Sequence, residues 1–229
     1  MLWSSTTGRW LVTSSTGHHV IDLMLARRSV REGFASTAIP VTQLEAIVAC
    51  GLAAPSSKNA QPWRLHVVQS RTELVDLAAA VRGAGDAETY VPYDPSTGEP
   101  HPQYRSSVAE SADVLGGASA AIFIENRGVF SGGRRAVVNA TREALTGSIT
   151  GYGFELIGLG AAIENMWLAA NALGIGATFM GDVVIAEEAI KRVVSVTGDV
   201  VGVLALGHIR PDATLHPRPA HEPDLAVWY

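Results

Sequence analysis

The stretch from Phe154 to Leu173 constrains the fold of this 229-residue chain more than any other. It reads as the longest helix of the chain and is apolar nearly all round, the pattern of a helix buried on most of its sides. Gly158, Gly160, Ala161 and Ala162 gather small side chains at one end, where another backbone could come close. A chain of this size can hardly surround such a helix alone, so a second copy is expected to share it. A membrane span is the competing reading, since Leu156 to Met180 is the most apolar stretch. It carries Glu164, Asn165 and Asn171 and glycines at 158, 160, 174 and 176. Those polar groups would be costly in lipid. The expectation is therefore a buried helix, ended by Gly174-Ile175-Gly176 with glycine as the left-handed cap, and then a strand.

The rest of the chain alternates short helical and extended patterns. Val20 to Ala26 reads as a helix broken by Gly33 to Pro40. A second helix opens at Val41, with Leu44, Ile47, Val48 and Leu52 on one face, and Pro55 ends it. A strand of about six residues starts at Trp63. Arg71 to Val81 reads as a helix with Leu74, Leu77, Ala78 and Val81 inward, and Ser106 to Leu115 as another. Ala118 to Glu125 is a buried strand, Arg134 to Leu145 a peripheral helix, Ala177 to Gly181 a strand, Ala186 to Ser195 a helix and Val200 to Leu206 a buried strand. The regular βαβ rhythm of a doubly wound sheet is missing. The expected class is α+β, a central mixed and mainly antiparallel sheet flanked by helices.

Three segments stand apart from this body. Residues 1–17 are rich in Ser, Thr and Gly, lack the pattern of a secretory signal, and read as an irregular extension to a single domain over 18–229. Gly83 to Arg105 holds four prolines, three glycines and Tyr90, Tyr93 and Tyr104 with no sustained period. A stretch of that length in a compact domain is usually a binding loop or lid, or else disordered, and the tyrosines favour a lid over a ligand. The tail from His208 to Tyr229 ends in Leu-Ala-Val-Trp-Tyr and could add a strand to a partner's sheet edge.

Chemistry is suggested first by Arg27-Arg28-Ser29-Val30-Arg31. Three guanidinium forks and a hydroxyl can grip a phosphate in bidentate fashion. They could equally be a solvated basic helix end, where cations offset the dipole. The net charge of −5 argues against nucleic acid as a partner and makes the cluster more conspicuous. The second signal is Ala54-Pro55-Ser56-Ser57-Lys58-Asn59-Ala60-Gln61-Pro62-Trp63, a loop of small polar groups and free amides. Cys50 is the single cysteine; it fits a reducing, cytoplasmic setting and reads as a small buried filler. The seven histidines are scattered, so no metal site is expected. No Gly-x-Gly-x-x-Gly, P-loop, Gly-x-Ser-x-Gly or His-Glu-x-x-His motif is present. What remains natural is a cofactor that brings its own reactivity.

Taken together, the arginine stretch and Pro55 to Trp63 resemble the two N-terminal signatures of the nitroreductase family of flavin enzymes. Ala162 to Gly176 is similar to that family's long central helix, and Leu206-Gly207-His208 through Pro217-Arg218-Pro219 to its C-terminal segment. The resemblance implies an intertwined homodimer binding FMN at two shared sites. It implies that Arg27, Ser29 and Arg31 hold the phosphate and ribityl chain, with Arg28 beside the flavin and Arg218 completing the clamp. His216 stands where some members carry lysine, which makes that part of the clamp weaker or pH-dependent. Pro55, Ser56 and Ser57 would line the isoalloxazine from the partner chain, Asn59 would hydrogen-bond the ring, and the Gly181 N–H would face flavin N5. Glu164 is expected as a buried carboxylate paired with an arginine or a backbone donor rather than as a catalytic acid.

The function implied is transfer of hydride from NAD(P)H to a nitroaromatic, quinone or similar small acceptor by a ping-pong route, with no membrane partner. The same fold also hosts reductive dehalogenation, flavin breakdown and oxidation of biosynthetic intermediates, and a non-catalytic flavin-binding protein is a further alternative. Neither NADH nor NADPH has a dedicated motif.

Overall fold

A computed structural model describes residues 16–85, 87, 90, 91, 93–213 and 227, together with the backbone of 2–4 and 9–11. Its centre is a four-stranded sheet in the order β3 (Trp63–Val68), β4 (Ala120–Asn126), β6 (Asp199–His208) and β5 (Ile175–Met180). Every neighbouring pair is antiparallel. Among the described residues the one parallel pairing is a single-residue bridge from Ser29 to Ala177 of β5, and this alone makes the sheet mixed. β4 is buried at every position, which explains its continuous apolar run: a central strand covered on both faces has no polar side to show. Where β4 meets β6, Gly202 faces Ile124 and Val200 faces Glu125, so Val201 is an extra residue bulged out of the ladder.

Helices cover both faces. α3 (Arg71–Arg82), α4 (Ser107–Gly117) and α7 (Glu187–Val194) pack on one side around Leu74, Leu77, Leu115, Phe123 and Ile190. α2 (Val41–Leu52) and α6 (Leu145–Ala172) pack on the other around Ile47, Ile122, Leu159, Met166 and Leu204. α1 (His19–Ala26) precedes them, and α5 (Gly133–Val138) lies between β4 and α6. The N-terminal extension, expected to be irregular, instead pairs β1 (Leu2–Ser4) with β2 (Arg9–Leu11) in a two-stranded antiparallel sheet.

Helix boundaries depart from expectation at one place. α6 begins at Leu145, nine residues before Phe154, while α5 stops at Val138 rather than running to Leu145. Gly147, Gly151 and Gly153 each weaken helix propensity by about 1 kcal/mol, and tertiary contacts outweigh them. Gly151 lies against Phe130 and Ser131. One turn later the buried Glu155 carboxylate accepts the N–H groups of Phe130 (2.6 Å) and Ser131 (3.0 Å), the Ser131 hydroxyl (2.5 Å) and the Asn126 amide (3.0 Å). In α2 the inward stripe is Leu44, Ile47 and Gly51. Leu52 and Cys50 are exposed, so Cys50 is not the buried filler expected. Gly51 takes the buried place because a Cβ there would stand 2.6 Å from Met166 Cγ.

At 28 residues α6 is about 42 Å long. It buries Gly158, Leu159, Ala162, Ile163, Met166 and Ala170 on one side. Its other side leaves Ile149, Phe154, Leu156 and Ile157 exposed, Ile157 at 70%. No described helix is long and apolar enough to cross a membrane.

Two predictions follow from this frame. Burial pushes the pKa values of Glu155, Glu125 and Glu187 up, but hydrogen bonds more than offset it. The donors are led by the Ser131 hydroxyl at Glu155, by His66 at Glu125 and by the Val200 N–H at Glu187, and all three pKa values end below the ordinary carboxylate value. The folded protein therefore binds these protons less readily than the unfolded chain, so their stabilisation is full above that ordinary range and is lost as pH falls below it. Thermal unfolding between pH 7 and pH 3 should show this acid limb, and Glu155→Gln should flatten it while costing roughly 1.5–3 kcal/mol at neutral pH. Gly176→Val should destabilise by roughly 1–3 kcal/mol in denaturant titrations, because a Cβ there meets Ile209 Cγ1 at 2.8 Å and Val30 Cγ1 at 3.1 Å.

Candidate functional site

The arginine stretch is built onto α6 and β5. α1 ends at Ala26, and Arg27 leaves the helix at φ −53°, ψ 136°. Its Nε pairs with Glu164 Oε1 at 3.2 Å, and its guanidinium lies 4.4 Å over the Trp167 ring. Glu164 thus has the arginine partner expected of it, but its side chain is 48% exposed rather than buried. The indole N–H of Trp167 donates to the Arg28 carbonyl at 3.3 Å. The Val30 N–H then donates to the Ala177 carbonyl at 2.9 Å, and the Val30 side chain is buried against Gly176. In an extended segment alternate residues share a side, so with Val30 turned inward Arg27, Ser29 and Arg31 face the other way. Arg31 is exposed and makes no ion pair among the described residues. Downstream, the Arg210 N–H donates to the Gly33 carbonyl (2.8 Å), and a Cβ on Gly33 would stand 2.5 Å from Ala213 Cβ. The chain beyond β6 therefore passes beside this stretch. His216 and Arg218 lie outside the described residues.

The second signal forms a strained loop around the 3₁₀ turn Ser57–Asn59. Lys58 (φ 50°), Asn59 (φ 53°) and Gln61 (φ 46°) are all left-handed. Each such residue costs about 1–2 kcal/mol, less for asparagine, whose side chain bonds locally. The loop is braced from within: Ser56 Oγ accepts the Gln61 N–H at 2.9 Å, and the Ala60 N–H donates to the Ser57 carbonyl at 3.0 Å. From outside, the Arg127 N–H donates to the Pro62 carbonyl at 2.7 Å. The loop rests on α6 at Gly158, where a Cβ would stand 3.3 Å from Ser56 Cβ. Left-handed residues held by surrounding bonds cluster at ligand clamps and active sites, which makes this loop a candidate for one. The Ser56 hydroxyl works as a brace of this loop, a role the sequence pattern did not suggest. Asn59 is exposed, with its Oδ1 3.4 Å from the Gln61 amide nitrogen.

Gly181 directly follows β5 and is exposed, opening the 3₁₀ helix Asp182–Ala186. Ser111 of α4 donates its hydroxyl to the Asp182 carboxylate at 2.8 Å. α4 also carries the root of the Gly83–Arg105 insert: the Ser106 hydroxyl donates to the Ala87 carbonyl, and the Ser107 N–H to the Tyr90 carbonyl at 3.1 Å. In the insert Tyr93 bridges Pro100, the Asp94 N–H donates to the Glu99 carbonyl at 2.9 Å, and Asp94 Oδ1 accepts the Ser96 N–H and hydroxyl. The His101 and Tyr104 rings lie 4.4 Å apart. Tyr90, Tyr93 and Tyr104 are all exposed.

α6 brings the two signals together. Ser56 sits at Gly158 and Arg27 at Glu164, a rise of about 9 Å along the helix axis. β5 links the arginine stretch to Gly181, because Ser29 faces Ala177 and the four residues onward span about 13 Å. This frame offers guanidinium and hydroxyl donors at one end and an exposed glycine at the other. The buried carboxylates are occupied elsewhere: Glu155 by its four donors, Glu125 by His66 (2.6 Å), Gly198 N–H (2.8 Å), Thr197 (3.0 Å) and Arg64 (3.3 Å). No metal-binding cluster of His, Cys, Asp or Glu occurs among the described residues. Donors for an anion without an acid–base pair suit a phosphate-bearing cofactor that does the chemistry itself.

Residues 24–208 match the model of the Nitroreductase family. A nitroreductase with bound FMN from Desulfitobacterium hafniense DCB-2 superposes with a TM-score of 0.63 at 21% identity, covering 93% of this chain and 98% of that one. A nitroreductase with bound FMN from Bacteroides fragilis NCTC 9343 gives 0.61 at 20%, covering 93% and 100%. The NADPH:FMN oxidoreductase from Vibrio harveyi, complexed with NAD+, gives 0.60 at 20%, covering 93% and 80%. No curated protein matches the sequence. With the family model spanning most of its length, from the arginine stretch to the end of β6, this chain belongs to the Nitroreductase family.

Proposed function

We propose that this chain is an FMN-dependent oxidoreductase that takes hydride from NAD(P)H and delivers it to a small acceptor such as a nitroaromatic or a quinone. The observation that carries the reading is the seating of Arg27–Arg31 along the edge strand that Gly181 follows. The donors fit the cofactor's phosphate, and the spacing along β5 suits a flavin laid from that anchor towards the strand end. When bound, FMN supplies the two-electron chemistry. The chain's part is to hold and cover it. Ser29 and Arg31 would take the phosphate, with Arg27, already held by Glu164 and Trp167, as a fixed wall of the pocket. Arg218 would join them: five residues beyond Ala213 it can reach at most about 18 Å, and Ala213 lies against Gly33. Gly181 would present its N–H to the reactive edge of the ring. Nicotinamide and acceptor would use one open face in turn, beneath the tyrosine-bearing insert.

A second copy of the chain completes the proposal. α6 exposes Ile149, Phe154 and Ile157, and α1 exposes Val20, Ile21 and Met24. An apolar surface of this kind marks an interaction site. A copy laid against it would bring its Pro55–Asn59 loop to the arginine stretch of the first and enclose a pocket that one chain leaves open.

The purified protein should be yellow, hold one FMN per chain, and be bleached by NADH or NADPH without oxygen; a colourless protein that ignores added FMN would refute the proposal. Arg31→Ala, and separately Arg218→Ala, should weaken FMN binding between tenfold and a hundredfold in fluorescence titrations, for the loss of about 1.5–3 kcal/mol of charge-assisted hydrogen bonding. Light scattering should give a dimer, and Ile157→Asp should yield a monomer that no longer retains FMN.

A further inference from the structure

The residue after Gly181 has a feature that binding a cofactor does not require. Asp182 points a carboxylate into the molecule, and the Ser111 hydroxyl donates to it at 2.8 Å. Ser111 is itself 7% exposed, within a helix whose start is capped by Ser106 and whose flank packs on α3. The carboxylate is thereby held at a fixed place beside the end of β5. Among the described residues no ion pair neutralises it: Arg134 and Lys191 pair with Glu187, while Arg82 and Arg105 pair with Asp113. A fixed, uncompensated negative charge next to an exposed glycine shapes the field felt by whatever binds there.

We propose that Asp182, held by Ser111, sets the reduction potential of FMN bound with its reactive edge at Gly181. This rests on the FMN reading above. Negative charge grows on the ring when it takes up two electrons, and a nearby carboxylate opposes that growth. Asp182 therefore keeps the bound cofactor at a lower potential and makes its reduced form a stronger donor. Ser111 is a positioning residue. It acts only through the carboxylate, by fixing its place and withdrawing part of its charge into a hydrogen bond. The same helix roots the tyrosine-bearing insert through Ser106 and Ser107, so α4 both holds the charge in place and anchors the cover of the site.

The test is anaerobic potentiometry of the FMN-loaded dimer against a reference dye. Asp182→Asn keeps the shape and removes the charge. It should shift the reduction equilibrium about tenfold towards the reduced form, a midpoint about 30 mV more positive for a two-electron couple. Asp182→Glu, which keeps the charge, should stay closer to the unaltered protein. Ser111→Ala should move the midpoint the other way by about threefold, or about 15 mV, and should be silent when added to Asp182→Asn. An unchanged midpoint in Asp182→Asn with FMN fully retained overturns this inference and leaves the cofactor assignment standing. Failure of the unaltered protein to hold FMN overturns both.

Discussion

Two segments of the site hang from one helix. α6 meets the strained loop at Gly158, the arginine stretch at Glu164 and Trp167, and the segment after β4 through Glu155. Positions 155 and 158 lie about 60° apart on one side of a 3.6-residue helix, and 164 and 167 lie as close together on the opposite side, with a rise of about 9 Å between 158 and 164. The helix thus acts as a ruler. It fixes the separation of two donor-bearing segments that are two dozen residues apart in the chain. The absence of a side chain matters as much as its presence: Gly158 and Gly176 are where the loop and the arginine stretch reach the backbone of the frame.

Much of this was legible in the sequence because it depends on periodicity. The all-round apolar helix, the buried runs of β4 and β6 and the inward stripe of α3 are patterns a reader can count. What escaped depends on contacts between distant residues. The extra turns of α6 stand over three glycines because Gly151 and Glu155 meet a loop some two dozen residues earlier, which no local rule reports. Gly51 is buried and Cys50 is exposed because a Cβ at position 51 would meet one methionine on another helix. Glu164 was expected to pair with an arginine or a backbone donor and pairs with Arg27, but its exposure is a property of the assembled surface.

The site itself divides in the same way. Residue types announced the cluster of guanidinium donors, since clustered arginines in an acidic chain are conspicuous. Backbone strain at Lys58 and Gln61 was invisible, because neither residue favours the left-handed region and only the assembled loop puts them there. Nor did any motif mark the Ser111–Asp182 pair, which joins α4 to the end of β5 across 71 residues.

The bridge from Ser29 to Ala177 has another consequence. β5 is an edge strand, and edges with free N–H and C=O groups invite other chains to add to them. A stretch that contributes a single backbone pair and then turns away ends the ladder there, and the flanking Arg28 and Arg31 put charge on the approach. The segment suited to hold a phosphate is thus also a guard against edge-to-edge aggregation. Removing its charges would bear on solubility as well as on the cofactor.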